Sequence, residues 1–186
     1  MKFTFPVLLV GSGRPMSMEH MYRRAFEAKS FTDVDLLDVD TTRPAALSNR
    51  FANRLLPSAS HAWAGHRLLT HLRAAGDRYR WIVVFKGMEL TRAALERGRE
   101  AAPSATWINI NPDDPYNVAA RGASNDNVLE AITFFDAYCM WSRRICRRLE
   151  EDGCRRVLFL PFGHDHTGQG PALPNSPGRG APILFF

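Results

Sequence analysis

The sequence predicts an α/β domain with a Rossmann-like, doubly wound parallel sheet of about six strands and helices on both faces. Short continuous apolar runs recur along the chain, as is typical of strands buried on both faces of a parallel sheet. Segments with the helical spacing of apolar residues separate these runs, which is the βαβ pattern. A length of 186 residues with 45% hydrophobic residues suits one domain with a sizeable core.

The first strand is predicted at 6–10 (PVLLV), which ends at Gly11-Ser12-Gly13 as a buried strand ends at a glycine turn. Ser17 is placed to cap the first helix. The apolar residues of that helix form one stripe: Met18, Met21, Tyr22, Ala25 and Phe26. The second strand is predicted at 34–39 (VDLLDV). Pro44 and Pro57 then bracket a short predicted helix around Phe51 and Leu55.

The middle of the chain repeats the pattern. A longer helix is predicted from Ser60 to Ala75, with Gly76 as its stop. The third strand is predicted at 81–85 (WIVVF) and is closed by Lys86-Gly87. A helix then follows from Thr91 to about Ala102.

The last third supplies three more strands. The fourth is predicted at 106–110 (TWINI) and leads into a polar, proline-broken loop at 111–117. A helical segment near 128–132 precedes the fifth strand at 135–140. Ser142 caps a helix that Gly153 ends, and the sixth strand is predicted at 156–160 (RVLFL).

A change in composition divides the chain into a domain at 1–162 and a segment at 163–186. That segment is rich in glycine, proline and small polar residues, which indicates a linker or tail. It ends in the apolar, strand-like stretch Ile183–Phe186, which we interpret as the start of a strand of a second domain that the chain does not include.

Charge and cysteine content narrow the function classes. The formal net charge is +5, and only Lys2, Lys29 and Lys86 are lysines among 24 basic residues. We interpret this arginine excess as a feature of a GC-rich genome, with dedicated phosphate or nucleic-acid recognition as the alternative. No basic stripe with interleaved aromatic residues predicts a nucleic-acid partner. The three cysteines show no CxxC spacing, and His164 and His166 stand at i and i+2, which is poor zinc geometry, so we predict no metal site. We also expect no cofactor. Without a signal peptide or an apolar run of spanning length, we expect a cytoplasmic protein with no transmembrane segment.

Four arginines on the last predicted helix form two i, i+4 pairs: Arg143, Arg144, Arg147 and Arg148. We interpret them as a solvated helix face, with a phosphate or the anionic surface of a membrane as the alternative partner. A peripheral membrane contact therefore stays open.

Ligands of parallel α/β sheets bind beyond the carboxyl ends of the strands, which selects the loops there as candidate sites. Asp113 and Asp114 lie between two prolines. They are candidates for a general base or for binding sugar hydroxyls, and the alternative is an Asx turn. His164 is the third catalytic candidate. The substrate-binding candidates are Gly11, Ser12, Gly13, Lys86, Gly87, Tyr116, Asn117, Ser142 and Asp165.

Three more of these candidates have alternative interpretations. Gly11 and Gly13 either let the backbone approach a ligand or form a tight turn that needs positive φ, and Met16 stands where a dinucleotide fingerprint has its third glycine. Lys86 either binds an anion or pairs with Asp113 or Asp114 in an ordinary salt bridge at the strand end.

Five segments resemble the N-terminal half of GT-B glycosyltransferases, in the group similar to the spore-maturation protein CgeB. They are VLLVGSG, RWIVVFKG, INPDDPYN, FFDAYCMWSRR and GCRRVLFLPFGHD, which cover about residues 5–166 in order. The resemblance implies a transferase of two Rossmann-like domains, in which a C-terminal domain binds the nucleotide-sugar donor and the N-terminal domain binds an unknown acceptor. It leads us to expect that this chain is the acceptor-side domain and is inactive alone. The alternative is a free-standing, non-catalytic Rossmann-like module for ligand binding or assembly.

Overall fold

The structure, a computed structural model, describes residues 5–42, 57–120, 122–161 and 163. It confirms the predicted α/β fold with one parallel six-stranded sheet in the order β2-β1-β3-β4-β5-β6. The strands are β1 Val7–Gly11, β2 Val34–Asp38, β3 Trp81–Phe85, β4 Thr106–Asn111, β5 Ala137–Met140 and β6 Val157–Phe159.

Helices cover both faces of the sheet, as predicted. They are α1 Met18–Ala28, α2 Pro57–Ala75, α3 Arg92–Ala101, α4 Asp126–Ala131 and α5 Arg143–Glu151, with a 3₁₀ helix at Ile132–Phe134 after α4. The predicted short helix around Phe51 and Leu55 and the segment at 164–186 lie outside the described residues.

Two boundaries differ from the prediction for identifiable reasons. The helix α2 begins at Pro57 rather than at Ser60, because proline is favoured in the first turn, where its missing N–H has no helical partner. Ser60 is instead buried within the helix. The strand β5 begins at Ala137 rather than at Phe135, because Phe134 and Phe135 pack into the core around the 3₁₀ helix.

Side chains cap most of the helix starts. Thr91 and Ser142 each accept a hydrogen bond from a backbone N–H of the first turn, from Ala94 and Ile145, as the sequence predicts. Ser17 stands at the predicted cap position but makes no capping bond, and its hydroxyl donates to the Ser12 carbonyl at 3.0 Å. It therefore fixes the loop before the helix instead of the helix itself.

The two faces of the sheet are packed unequally. One face carries α2 to α5, and its core runs from Leu8 and Leu68 to Trp107 and Leu149, all fully buried. Of the helices within the described ranges, the other face carries only α1, which packs Tyr22 and neighbouring residues against β1 and β3. An open apolar groove of about 620 Å³ remains beside α1, toward the ends of β4, β5 and β6.

The strand order locates the point where ligands of this fold class bind. The strand β2 lies on one side of β1, and the strands β3, β4, β5 and β6 follow one another on the other side. The strand order therefore reverses between β1 and β3. A crevice opens there at the carboxyl edge, because successive connections leave toward opposite faces of the sheet. The loops after β1 and β3 flank this point, and the loop after β4 follows directly.

Candidate functional site

The loop after β1 is filled from within the protein. Glu19, in the first turn of α1, is 6% exposed, and its Oε1 accepts a hydrogen bond from the Ser12 N–H at 2.7 Å. A Cβ atom on Gly11 would overlap this carboxylate, and one on Gly13 would overlap the carboxylate of Asp38. Both glycines are therefore required for close packing against the chain's own acidic side chains.

In this geometry, side chains of the chain itself occupy the space beside Gly11 and Gly13, and substrate binding by Gly11, Ser12 and Gly13 stays a prediction. Glu19 places a carboxylate where the dipole of α1 and its free N–H groups would otherwise attract an anion. The Ser12 N–H is already bonded to this carboxylate and is not available to a ligand in this structure. The expected positive φ is also absent from these residues, since neither Gly11 nor Gly13 adopts it.

Asp38 closes the same loop from the end of β2. Burial acts to raise its pKa, but hydrogen bonds from the Thr41 hydroxyl and from the backbone N–H groups of Thr41, Asp40 and Gly13 outweigh burial and hold the pKa below its ordinary value. Asp38 is thus a structural carboxylate that is stabilised in its ionised form.

The loop after β3 places a strained lysine at the carboxyl edge. Lys86 has φ of 56° and Gly87 has φ of 92°, so both lie in the left-handed region. The buried Asn109 donates from Nδ2 to the Lys86 carbonyl at 3.2 Å. The Lys86 ammonium forms an ion pair with Asp113 and donates to the Gly122 carbonyl at 3.0 Å. The predicted salt bridge at the strand end is therefore confirmed.

The loop after β4 forms the predicted Asx turn. The Asp114 Oδ1 accepts from the Tyr116 N–H at 2.9 Å, and the Asn117 Oδ1 accepts from the Ala120 N–H at 3.1 Å. The Asp113 N–H donates to the Asn111 side chain. Even so, the side chains of Asp113 and Asp114 remain 37% and 31% exposed, so each carboxylate keeps an oxygen within reach of solvent.

A second wall faces this loop from α5. Between the two lies an open cavity of about 480 Å³, which we call the arginine pocket. Its lining combines carboxylates, an aromatic ring and guanidinium groups: Asp114, Tyr116, Asn117, Arg144, Ile145, Arg147, Arg148 and Glu151.

Tyr116 anchors the floor of the arginine pocket. Its hydroxyl donates to the Asp152 Oδ2 at 2.5 Å, and the Arg148 guanidinium stacks over its ring at 3.5 Å from the centroid. Burial, followed by the hydrogen bond to Asp152, raises the pKa of Tyr116 above its ordinary value. Tyr116 is therefore a neutral donor that fixes α5 against the loop.

The remaining predicted residues fall into two groups. Ser142 caps α5, which is a structural role, whereas His164 and Asp165 lie outside the described residues. The sequence reasoning missed Glu19 and Asp38, although an acidic residue in the first helical turn after a glycine loop is a readable signal. It treated the arginines of α5 as a solvated face and did not connect them to the loop after β4.

The described ranges offer neither a metal-binding cluster nor a membrane-spanning helix. They contain no group of three His, Cys, Asp or Glu side chains arranged to hold a metal ion, and no helix within them is long and apolar enough to cross a membrane. Compared with known proteins, the chain matches no family model and no curated sequence.

Proposed function

We propose that this chain is the N-terminal, acceptor-side domain of a GT-B glycosyltransferase that transfers a sugar from a nucleotide-sugar donor. The observation that carries the proposal is the pairing at the carboxyl edge of β3 and β4. There, Lys86 binds Asp113 while Asp114 turns one oxygen toward the arginine pocket. The Rossmann-like sheet and the five segments similar to the CgeB group support the same assignment.

In this proposal the two aspartates have different roles. The Lys86 ammonium neutralises Asp113 and fixes the loop. The Asp114 Oδ1 is held by the Tyr116 N–H, which leaves Oδ2 facing the pocket, 4.0 Å from Arg144. Asp114 is the better general base of the two, because its free oxygen can accept a proton from an acceptor hydroxyl as that oxygen attacks the anomeric carbon.

The reaction balances with a nucleotide-sugar donor. The acceptor oxygen forms a bond to the anomeric carbon, the bond from that carbon to the nucleotide phosphate breaks, and the hydroxyl proton passes to Asp114. This role applies to an inverting reaction, and a retaining transferase needs no such base. The donor would be held by a second domain, which is either the continuation of the reading frame or a separate subunit.

The test compares the chain alone with the chain joined to that second domain, each incubated with nucleotide sugars and analysed for released nucleotide. We expect turnover only with the second domain. For an inverting enzyme, Asp114→Asn lowers kcat by about 10²- to 10⁴-fold. Asp113→Asn is the matched control and lowers kcat less. An absence of nucleotide-sugar binding and turnover in the joined protein would contradict the proposal.

A non-catalytic binding module is the second candidate, and one observation favours it. Several predicted site groups already have internal partners: Lys86 with Asp113, Ser12 with Glu19, and Ser142 with the Ile145 N–H. Saturable ligand binding by a joined protein that consumes no nucleotide sugar would select this candidate over the transferase.

A further inference from the structure

Two arginines of the arginine pocket, Arg144 and Arg147, make no close ion pair with any residue that the structure describes. The Arg147 side chain makes no hydrogen bond, ion pair or ring contact with any other part of the chain that the structure describes. The Arg144 side chain is 83% exposed, and its ion pair with Asp114 is long, at 4.0 Å. Glu151 stands four residues after Arg147, yet no ion pair joins them within the described ranges.

This arrangement costs the helix some stability. Arg144 and Arg148 stand at i and i+4, where like charges on a helix repel each other. Arg148 cannot swing away freely, because it is stacked on Tyr116. The first turn of α5 also lacks an acidic residue that would offset the positive charge at its N-terminus. An anion in the pocket would relieve this repulsion.

We propose that the arginine pocket binds a phosphate ester whose carrier bears hydroxyl groups. Guanidinium groups hold phosphate oxygens through paired N–H bonds, which suits Arg144 and Arg147 at the open side of the pocket. The Asp114 Oδ2 accepts a hydrogen bond from a hydroxyl of the carrier. Asp114 and Glu151 both repel a bare anion. The pocket therefore favours a ligand that carries hydroxyl groups as well as a phosphate.

This inference rests on the proposed function and names the substrate class of the same site. The acceptor is then a phosphorylated sugar or glycan, whose phosphate group is anchored on α5 and whose hydroxyl is presented to Asp114. Phosphate binding requires only residues of the present chain, so it can be measured without the donor-binding domain. Failure of phosphate binding and failure of sugar transfer are thus separate results.

The experiment titrates the full chain with glucose 6-phosphate, with inorganic phosphate and with glucose, and follows binding by calorimetry. We expect saturable binding of glucose 6-phosphate that weakens with added salt, weaker binding of inorganic phosphate, and none of glucose. Arg147→Gln weakens binding of glucose 6-phosphate about tenfold, as expected for the loss of one charge-assisted contact.

Two variants make the result specific. Arg73→Gln removes the same charge from an exposed position on α2, away from the arginine pocket, and leaves affinity unchanged. Asp114→Asn removes a repelling charge and strengthens binding of inorganic phosphate, while glucose 6-phosphate loses its advantage over phosphate. An equal loss of affinity in Arg73→Gln and Arg147→Gln would show a diffuse charge effect and overturn the proposal.

A lipid headgroup is the other source of a phosphate ester. Vesicles of phosphatidylcholine, with and without phosphatidylglycerol, are mixed with the chain and sedimented. If the chain binds the anionic vesicles, and if Arg147→Gln weakens this binding while Arg73→Gln does not, the phosphate belongs to a lipid. If the chain binds glucose 6-phosphate but not the vesicles, the ligand is a free sugar phosphate. If neither arm shows binding that depends on Arg147, the arginine pocket is not a phosphate site.

Discussion

The loops after β1 and β4 leave the same edge of the sheet, but they use their polar groups differently. In the first, Glu19 and Asp38 fill the space beside the glycines and bind its N–H groups. In the second, Asp114 uses one oxygen for its own turn and keeps the other at the wall of an open pocket. The first loop is closed by its own side chains, and the second can still meet a ligand.

The difference teaches that a glycine-rich turn before a helix is not by itself a ligand site. Such a turn lets some group approach the backbone closely, and here that group is a carboxylate of the same chain. The test for a ligand loop is whether donors and acceptors remain unpaired after the fold has formed. By that measure the arginine pocket is the stronger site, because the Arg147 side chain bonds no other described residue and the Asp114 Oδ2 makes a long contact of 4.0 Å with Arg144.

The largest expected effect comes from filling the closed loop. Gly11→Ala places a methyl group against the buried Glu19 carboxylate, so we expect a loss of about 2–3 kcal/mol in the free energy of unfolding. Urea unfolding followed by circular dichroism measures it. Gly153→Ala is the control, because its Cβ meets open space and only its φ of 90° opposes the change.

The Glu19→Ala background sharpens this test. In that background the clash partner of Gly11→Ala is gone, so the two substitutions together should cost less than the sum of the single losses. Strict additivity would mean that Glu19 does not fill the loop after β1.

A smaller effect is expected from the strained lysine. Lys86→Ala and Lys86→Gly both remove the ion pair with Asp113, but only glycine relieves the left-handed backbone. We expect the glycine variant to be more stable than the alanine variant by about 1 kcal/mol in thermal or urea unfolding. Equal stabilities would show that residue 86 is not held at positive φ in solution.

Asp38 makes the closed loop sensitive to acid. Its folded pKa is lowered, so its ionised form contributes stability above the unfolded pKa, and this contribution is lost as the pH falls through the folded value. We expect wild type to exceed Asp38→Asn in free energy of unfolding near neutral pH, with the difference shrinking below about pH 4. A difference that stays constant down to acidic pH would contradict the account.

The smallest effect is expected at the floor of the arginine pocket. Tyr116→Phe removes one hydrogen bond to Asp152 but keeps the ring under Arg148, so stability should fall by about 0.5–1 kcal/mol. The raised pKa of Tyr116 means that its hydroxyl stays protonated beyond the usual range as pH rises. We therefore expect that an alkaline titration, followed by phenolate absorbance, shows one fewer tyrosine ionising at high pH in Tyr116→Phe than in wild type. Loss of a tyrosine that ionises near the ordinary pKa would contradict this expectation.

Much of the fold was predictable because the four central strands, β1, β3, β4 and β5, are largely buried and so read as continuous apolar runs. The same property limits the prediction at strand ends: Phe135 fits a strand or a buried turn equally well, and only packing around the 3₁₀ helix decides. The order of strands was not predicted, since the pattern of apolar residues does not say which strand lies beside β1.

The site was less predictable because it depends on contacts between distant elements. The pairing of Lys86 with an aspartate followed from adjacent strand ends, and it is confirmed. The identity of the group beside Gly11 could not be predicted. The glycine spacing indicates that some group lies close to the backbone, but it does not indicate which group. The arginine pocket needs β4 and β5 to be neighbours, which brings the loop at Asp114 against α5.

The most direct test of the comparison is an amide NMR titration of the chain with glucose 6-phosphate. We predict that the perturbed signals cluster at 113–117 and 142–148, at the arginine pocket, while those at 11–19 stay in place. Shifts that centre on 11–19, or no saturable shift in either region, would contradict the claim that the loop after β1 is closed and the loop after β4 is the ligand site.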